Sequence, residues 1–241
     1  MNELVWHEVE CGDYTADLPL WEELADQTDK PIMELGCGAG RVTLHLAQRN
    51  GLLVIGLDHN RELVEAVWEK GHGTMGDAEY EDVRGFEAMA TKFSLVIAPM
   101  QLIQLLADSQ ERIACLGCAV DSMLPAARAA FAIVEDMPVL PPGTSAPPLP
   151  DVRQVEGWIY SSLPLEPIAR PDSILLRRLR QTVDPDGNMS EELNEIELAL
   201  LSAETLEEEG RAVGLRPTGR REIPSTEAHV GSTVVLFEKA I

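Results

Sequence analysis

The chain has 241 residues, 45% of them hydrophobic, and 41 Asp plus Glu against 19 Lys plus Arg give a formal charge of −22. That length suits one α/β domain carrying an insertion, and the charge repels a phosphate backbone and removes the counterion release that drives nucleic-acid binding, so nucleic acid is not an expected partner. Nowhere are there about eighteen uninterrupted apolar residues, and the acidic N-terminus lacks a basic stretch followed by an apolar run, so neither a membrane span nor secretion is expected and a cytoplasmic address is.

Taken in chain order, residues 1–30 precede the first strand signal, "PIMELG" from Pro31, which runs into a glycine-rich turn and the amphipathic helix "RVTLHLAQRN". "LLVIGLD" is a second strand, followed by the helix "RELVEAVWEKG"; a short strand is predicted between Gly71 and Asp77. "FSLVIAPM" is the fourth, and a helix over "ERIACLGCAVDSML" leads to a fifth, "AAFAIVED". This alternation predicts a parallel sheet with helices on both faces. Six prolines between Pro138 and Pro150 exclude helix and central strand, so that stretch is expected to be a loop or mobile lid.

Beyond it, "VEGWIYSSLPL", "ILLRRLRQTV" and "IELALL" are expected as antiparallel strands, with "DPDG" turning after the second. "SAETLEEEGRAVGL" is a helix capped by Ser202 and stopped near Gly214, and "LRPTGRREI" and "STVVLFEKA" are closing strands. The cysteines are Cys11, Cys37, Cys115 and Cys118. "CLGC" lacks the second pair or histidines that a structural zinc site needs, so reduced, packed thiols are expected and no metal.

The turn in "MELGCGAGR" lets backbone N–H groups and a helix N-terminus approach a ligand. A dinucleotide fingerprint requires glycine at position 41, where Arg41 stands; Gly40 comes one residue earlier, so the spacing is G-x-G-x-G. Glu34, two residues before Gly36, places a carboxylate where a pyrophosphate would be repelled and an ammonium stabilised. Asp58 ends the second strand at the position from which a carboxylate accepts ribose hydroxyls, a helix-capping role being its rival. In "GDAE", the Asp77 carboxylate and the Ala78 N–H offer an acceptor and a donor suited to an adenine edge.

"MELGCGAGR", "VIGLDHN", "GDAE" and "LVIAPMQLIQLL", in this order, resemble the class I S-adenosylmethionine-dependent methyltransferases, small-molecule type. The resemblance implies a doubly wound, Rossmann-like α/β sheet of seven strands with an antiparallel last strand, the extra antiparallel strands being inserted after the fifth. A single domain is expected: an N-terminal lid (1–30), a cofactor core (31–137), an acceptor-side insertion (138–200) and a closing helix and hairpin (201–241). S-adenosyl-L-methionine is the implied cofactor. Glu34 would sit near its ammonium, Gly36, Cys37, Gly38 and Gly40 around its methionine portion, Asp58 on the ribose, His59 beside the adenine and Asp77 with Ala78 on the adenine edge. Ala98 to Gln101, including Met100, would close the pocket.

"DYTADLPLW" resembles that family's N-terminal lid, which implies that Tyr14 and Trp21 would cover the sulfonium and substrate; Trp21, Trp158 and Tyr160 are candidates for an aromatic wall around the acceptor, core packing being the alternative for each. Arg177, Arg178 and Arg180 form a basic patch whose expected partners are the acids of "SEELNEIE" on the returning strand. Tyr14 and His229, and less directly His7, are candidate bases. The expected activity is in-line methyl transfer to nitrogen or oxygen of a small metabolite; a non-catalytic S-adenosylmethionine-binding partner or sensor is the first alternative and a dinucleotide-dependent oxidoreductase the second.

Overall fold

The computed structural model describes residues 3–135, 137, 149–226 and 229–240. In chain order its elements are α1 (Glu3–Cys11), α2 (Leu18–Ala25), β1 (Ile32–Leu35), α3 (Arg41–Asn50), β2 (Val54–Asp58), α4 (Arg61–Lys70), β3 (Gly76–Tyr80) and β4 (Phe93–Ala98). A 3₁₀ turn (Leu102–Leu105), α5 (Ser109–Ser122), β5 (Met123–Ile133), β6 (Asp151–Val155), β7 (Trp158–Pro164), β8 (Ile168–Ala169), β9 (Ser173–Val183) and β10 (Met189–Ala199) come next. The chain closes with α6 (Ala203–Ala212), β11 (Leu215–Ile223) and β12 (Ser232–Lys239). Most of the proline-rich stretch expected as a loop or lid lies outside the described residues.

Two compact units emerge, Thr15–Glu135 with Leu201–Ile241, and Met1–Tyr14 with Asp136–Leu200. The larger is built on a seven-stranded sheet ordered β11-β12-β5-β4-β1-β2-β3. β1 to β5 pair in parallel and β12 runs antiparallel to both neighbours, which is the expected closing arrangement. The order reverses between β1 and β4, so the chain leaves these two neighbouring strands in opposite directions and opens a crevice at their carboxyl ends. Met33, Leu35, Phe93, Ile103, Leu116, Phe131 and Phe237 belong to its main core, all buried. Cys115, wholly buried in the same core, and Cys118 are free thiols, and burial pushes the Cys115 thiol up to about 12.

Local signals set the helix ends. Asn60 caps α4 by accepting from the N–H groups of Glu62 and Leu63, which gives to Asn60 the capping role weighed above for Asp58. Ser202 caps α6 by accepting from Thr205 N–H, and the Glu135 carboxylate, just past β5, takes the Ala203 N–H at 2.8 Å. A buried bidentate pair, Arg112 to Glu209, joins α5 to α6, with Nη2 to Oε1 at 2.7 Å.

In the smaller unit α1 packs on an antiparallel sheet ordered β10-β9-β7-β6. Asp184–Gly187 turns β9 into β10 with Gly187 N–H donating to Asp184 O, as "DPDG" predicts. The basic patch is a correction. Arg180 forks onto Glu10 of α1 at 2.8 and 2.9 Å, Arg178 bonds Ser162 and Asp151, and Arg177 donates to the Glu166 carbonyl. The returning strand contributes only Glu192, 4.0 Å from Arg180. Burial pushes the Glu10 carboxyl up, but hydrogen bonds from Arg180 and Ser162 hold it below its ordinary value. The residues before the first strand, expected as a lid segment, carry two helices, α1 in the smaller unit and α2 in the larger.

Candidate cofactor site

The three glycines after β1 have φ of 66° (Gly36), 54° (Gly38) and 85° (Gly40), the left-handed region that side chains disfavour. A Cβ on Gly36 would also lie 2.4 Å from Leu102 Cδ1, and one on Gly40 3.0 Å from Leu44 and Val67. Glycine is therefore required by conformation and by space, and Gly40 serves as the N-cap of α3. The Cys37 N–H donates to Leu57 O at 3.0 Å and its side chain packs where a Cβ on Gly56 would lie. The expected backbone role of Cys37 toward a ligand is corrected in that respect: its N–H locks the turn onto β2.

Asp58 ends β2 at the carboxyl edge and its carboxylate is the hub of the turn. Oδ2 accepts from Gly38 N–H and Oδ1 from Asn60 N–H, both at 2.9 Å. A carboxylate has about four acceptor sites, so capacity remains for two further donors. His59 beside it is 83% exposed, with Nδ1 3.8 Å from Asp58 Oδ1.

Glu34 is the third residue of β1 and is buried. Thr43, in the first turn of α3, donates its hydroxyl to Oε2 at 2.5 Å. Burial pushes the Glu34 carboxyl up to about 8, against the opposing effects of Thr43 and the nearby Arg41. Arg41 itself is engaged bidentately by Asp17 at 2.7 Å, and Asp17 also accepts from Trp21 Nε1 at 2.9 Å. These residues fit a ligand that brings an ammonium beside Glu34 and vicinal hydroxyls to Asp58, because the first carboxyl is buried without a bonded cation and the second retains acceptor sites. A pyrophosphate there would meet the Asp58 carboxylate and the buried Glu34 carboxyl, with no bonded cation.

Asp77 and Ala78 are corrected. The turn that follows α4 occupies residues 71–75, so β3 begins only at Gly76 and Asp77 is its second residue, opposite Ile55. That is three residues, about 10 Å, from the level of Asp58 toward the amino ends of the strands. The Ala78 N–H bonds the Asp77 carboxylate and its carbonyl accepts from Trp68 Nε1. The residues that follow the carboxyl end of β3 are Glu81, Asp82 and Val83, with Glu81 N–H donating to Asp58 O at 3.0 Å. A five-residue strand counted from Gly76 would have pointed to Asp82.

After β4, Ala98 is buried and Met100 holds φ 55°, a left-handed conformation costing a non-glycine residue about 1–3 kcal/mol. Gln101 reaches Ser232 Oγ at 3.4 Å, and Gln104, which no motif in the sequence marks, clasps both backbone groups of Val134 just past β5. These bonds fix the segment across the carboxyl ends of β4, β5 and the start of β12.

Comparison with known proteins agrees with this geometry. Residues 32–120 match the family described as the methyltransferase domain. The matched residues include the glycine turn, Glu34 and Asp58. No curated protein matches the chain by sequence. Among solved structures the chain is similar to the sugar N-methyltransferase KedS8 from Streptoalloteichus, with a TM-score of 0.79 and 15% identity over 100% of this chain and 93% of that one. It is also similar to CalS10, an amino pentose methyltransferase from Micromonospora echinaspora solved with S-adenosylmethionine bound (TM-score 0.72, 16% identity, 98% and 97% covered). A third is DesVI from Streptomyces venezuelae (TM-score 0.70, 16% identity, 97% and 96% covered).

The acceptor-side candidates divide between the two units. Tyr14, Trp158 and Tyr160 belong to the smaller, where Trp6 meets the Tyr160 ring edge-on at 5.3 Å and Trp158 lies 6.5 Å from it. Tyr160 packs against the cluster of Val5, Trp6 and Val9, and Tyr14 is buried. Trp21, in the larger unit, is wholly buried with its indole N–H on Asp17, so it is a core residue and presents no face to a ligand. His229 lies between β11 and β12, its backbone N–H on Thr226 Oγ1. Because Thr233 pairs with Ile133, that loop returns to the carboxyl ends of the parallel strands. No described helix is long and apolar enough to cross a membrane.

Proposed function

We propose that the chain is an S-adenosylmethionine-dependent methyltransferase acting on nitrogen or oxygen of a small metabolite, with amino sugars the first acceptor class to test. The observation that carries the donor side is the pairing of buried Glu34 with the Asp58 hub across a G-x-G-x-G turn. The acceptor class is supported by the neighbours: KedS8 is described as a sugar N-methyltransferase, CalS10 as an amino pentose methyltransferase and MtfA as a glycopeptide N-methyltransferase.

In this reading Glu34 receives the ammonium of the cofactor, Asp58 its ribose hydroxyls, and His59 lies along the base. The adenine edge is read by Asp82 and the Val83 N–H, in place of Asp77 and Ala78. Met100 and Gln101 border the sulfonium side. Bound S-adenosylmethionine supplies a methyl carbon on a positively charged sulfur, so the acceptor lone pair forms the new bond as the carbon–sulfur bond breaks and its electrons return to sulfur. The chain's task is alignment and exclusion of water. A methylated amine or hydroxyl then has a proton to lose, and His229 is the candidate to take it.

The test is incubation of the purified protein with methyl-labelled cofactor and nucleotide-linked sugars bearing an amino group, only hydroxyls, or an already dimethylated amine. Label appearing on the first, or on the second, supports the reading and assigns the atom. Tight cofactor binding with no label on these sugars or on any small molecule of a cell extract would overturn it in favour of a binding protein.

A further inference from the structure

Asp82 lies in the turn after β3 with its carboxylate half exposed, yet that carboxylate is held in place by a single neighbour. Arg84 donates its backbone N–H and its Nε to Oδ1, both at 2.9 Å, and its Nη2 to Oδ2 at 2.5 Å; Nε lies 3.1 Å from Oδ2. The third nitrogen, Nη1, reaches Glu111 Oε1 at 3.4 Å. Glu111 in turn accepts the Ala107 N–H on Oε2 at 3.0 Å and gives its own N–H to the Asp108 cap, so its side chain closes over the start of α5 one residue before the cap. The turn after β3 is thus braced, through one guanidinium, on the helix that follows the β4 segment.

A carboxylate has about four acceptor sites, two on each oxygen. Three Arg84 protons engage it, the Nε proton being shared between Oδ1 at 2.9 Å and Oδ2 at 3.1 Å, so capacity for about one further donor remains. A single fixed acceptor suits one N–H of an exocyclic amine and repels the carbonyl oxygen that a 6-oxo purine presents at the same place. An unanchored aspartate on an exposed turn would rotate freely and could be turned aside from the oxo group at little cost.

We propose that Arg84 is the positioning residue for purine selectivity: by fixing the Asp82 carboxylate with capacity for one further donor and bracing the turn on Glu111, it lets the site accept a 6-amino and reject a 6-oxo purine. This rests on the reading of Asp82 given above. Arg84 acts through Asp82 and is not itself placed on the base. It also supplies the counter-charge in an acidic neighbourhood, where Glu79 and Glu81 flank the same turn and His59 faces it.

The test is calorimetric titration of S-adenosylhomocysteine and S-inosylhomocysteine into the wild type and the variants Asp82→Asn, Arg84→Met and Arg84→Lys. The wild type is expected to prefer the adenosyl ligand by about tenfold or more. Arg84→Met should reduce that ratio by about fivefold, chiefly through weaker adenosyl binding, and Arg84→Lys, which keeps the charge without the fork, should fall between. A purely structural defect would weaken both ligands equally and leave the ratio unmoved. If Asp82→Asn collapses the ratio while Arg84→Met keeps it within twofold of the wild type, the role of Arg84 is wrong and the Asp82 reading stands. If Asp82→Asn also leaves it intact, the Asp82 reading fails and the inference with it.

Discussion

Replacing Glu34 by glutamine removes a carboxyl that burial has pushed from 4.5 to about 8 while keeping an oxygen to accept the Thr43 hydroxyl. The folded protein holds this proton where the unfolded chain has released it, so wild-type stability falls as pH rises from 4.5 toward 8. At pH 7 the gap of about 2.5 units corresponds to about 3 kcal/mol of lost stability, and at pH 5 to about 1 kcal/mol. The amide does not titrate. Urea denaturation of Glu34→Gln should therefore show an advantage over the wild type that grows by about 2 kcal/mol between pH 5 and pH 7. Cofactor binding should move the opposite way. An ammonium requires the ionised carboxylate, of which about a tenth is present at pH 7, so wild-type affinity for S-adenosylhomocysteine should rise about tenfold from pH 6 to pH 7, and that of the amide should stay low and flat. A stability gap independent of pH would refute the account of Glu34.

Gly36→Ala combines φ 66° with a Cβ 2.4 Å from Leu102 and should cost about 2–4 kcal/mol in urea denaturation and abolish measurable S-adenosylhomocysteine binding. Asp58→Ala frees the N–H groups of Gly38 and Asn60 and removes the ribose acceptor; calorimetry should show a loss of about tenfold or more, with Asp58→Asn intermediate. Arg112→Met leaves Glu209 buried without its partner and should destabilise by about 3–5 kcal/mol, most of it recovered when Glu209→Leu is added, as read by melting temperature.

The sheet was legible because each strand and helix announces itself locally: "RVTLHLAQRN" is α3 residue for residue, and Ser202 caps the helix it was expected to cap. Glu34, the glycines and Asp58 were legible for the same reason, since strand, turn and helix are contiguous. Asp82, proposed above for the adenine edge, carries no local signal, because a strand's carboxyl end depends on where it starts and the turn after α4 delays β3 to Gly76. Pairings between distant segments leave no local trace. Asp17 with Arg41 and Glu10 with Arg180 join residues 24 and 170 positions apart, and only the folded chain shows that these acids and bases meet. An aromatic beside a site and one beneath it look alike in a sequence, and only the folded chain shows Trp21 wholly buried with its indole N–H donating to Asp17.

The most direct test of the central claim is titration of the purified protein with S-adenosylhomocysteine and, separately, with NAD(H), in the wild type and in Asp58→Ala. The account predicts saturable one-site binding of S-adenosylhomocysteine that Asp58→Ala weakens by about tenfold or more, and no binding of NAD(H). Saturable binding of NAD(H), with S-adenosylhomocysteine unbound, would contradict it.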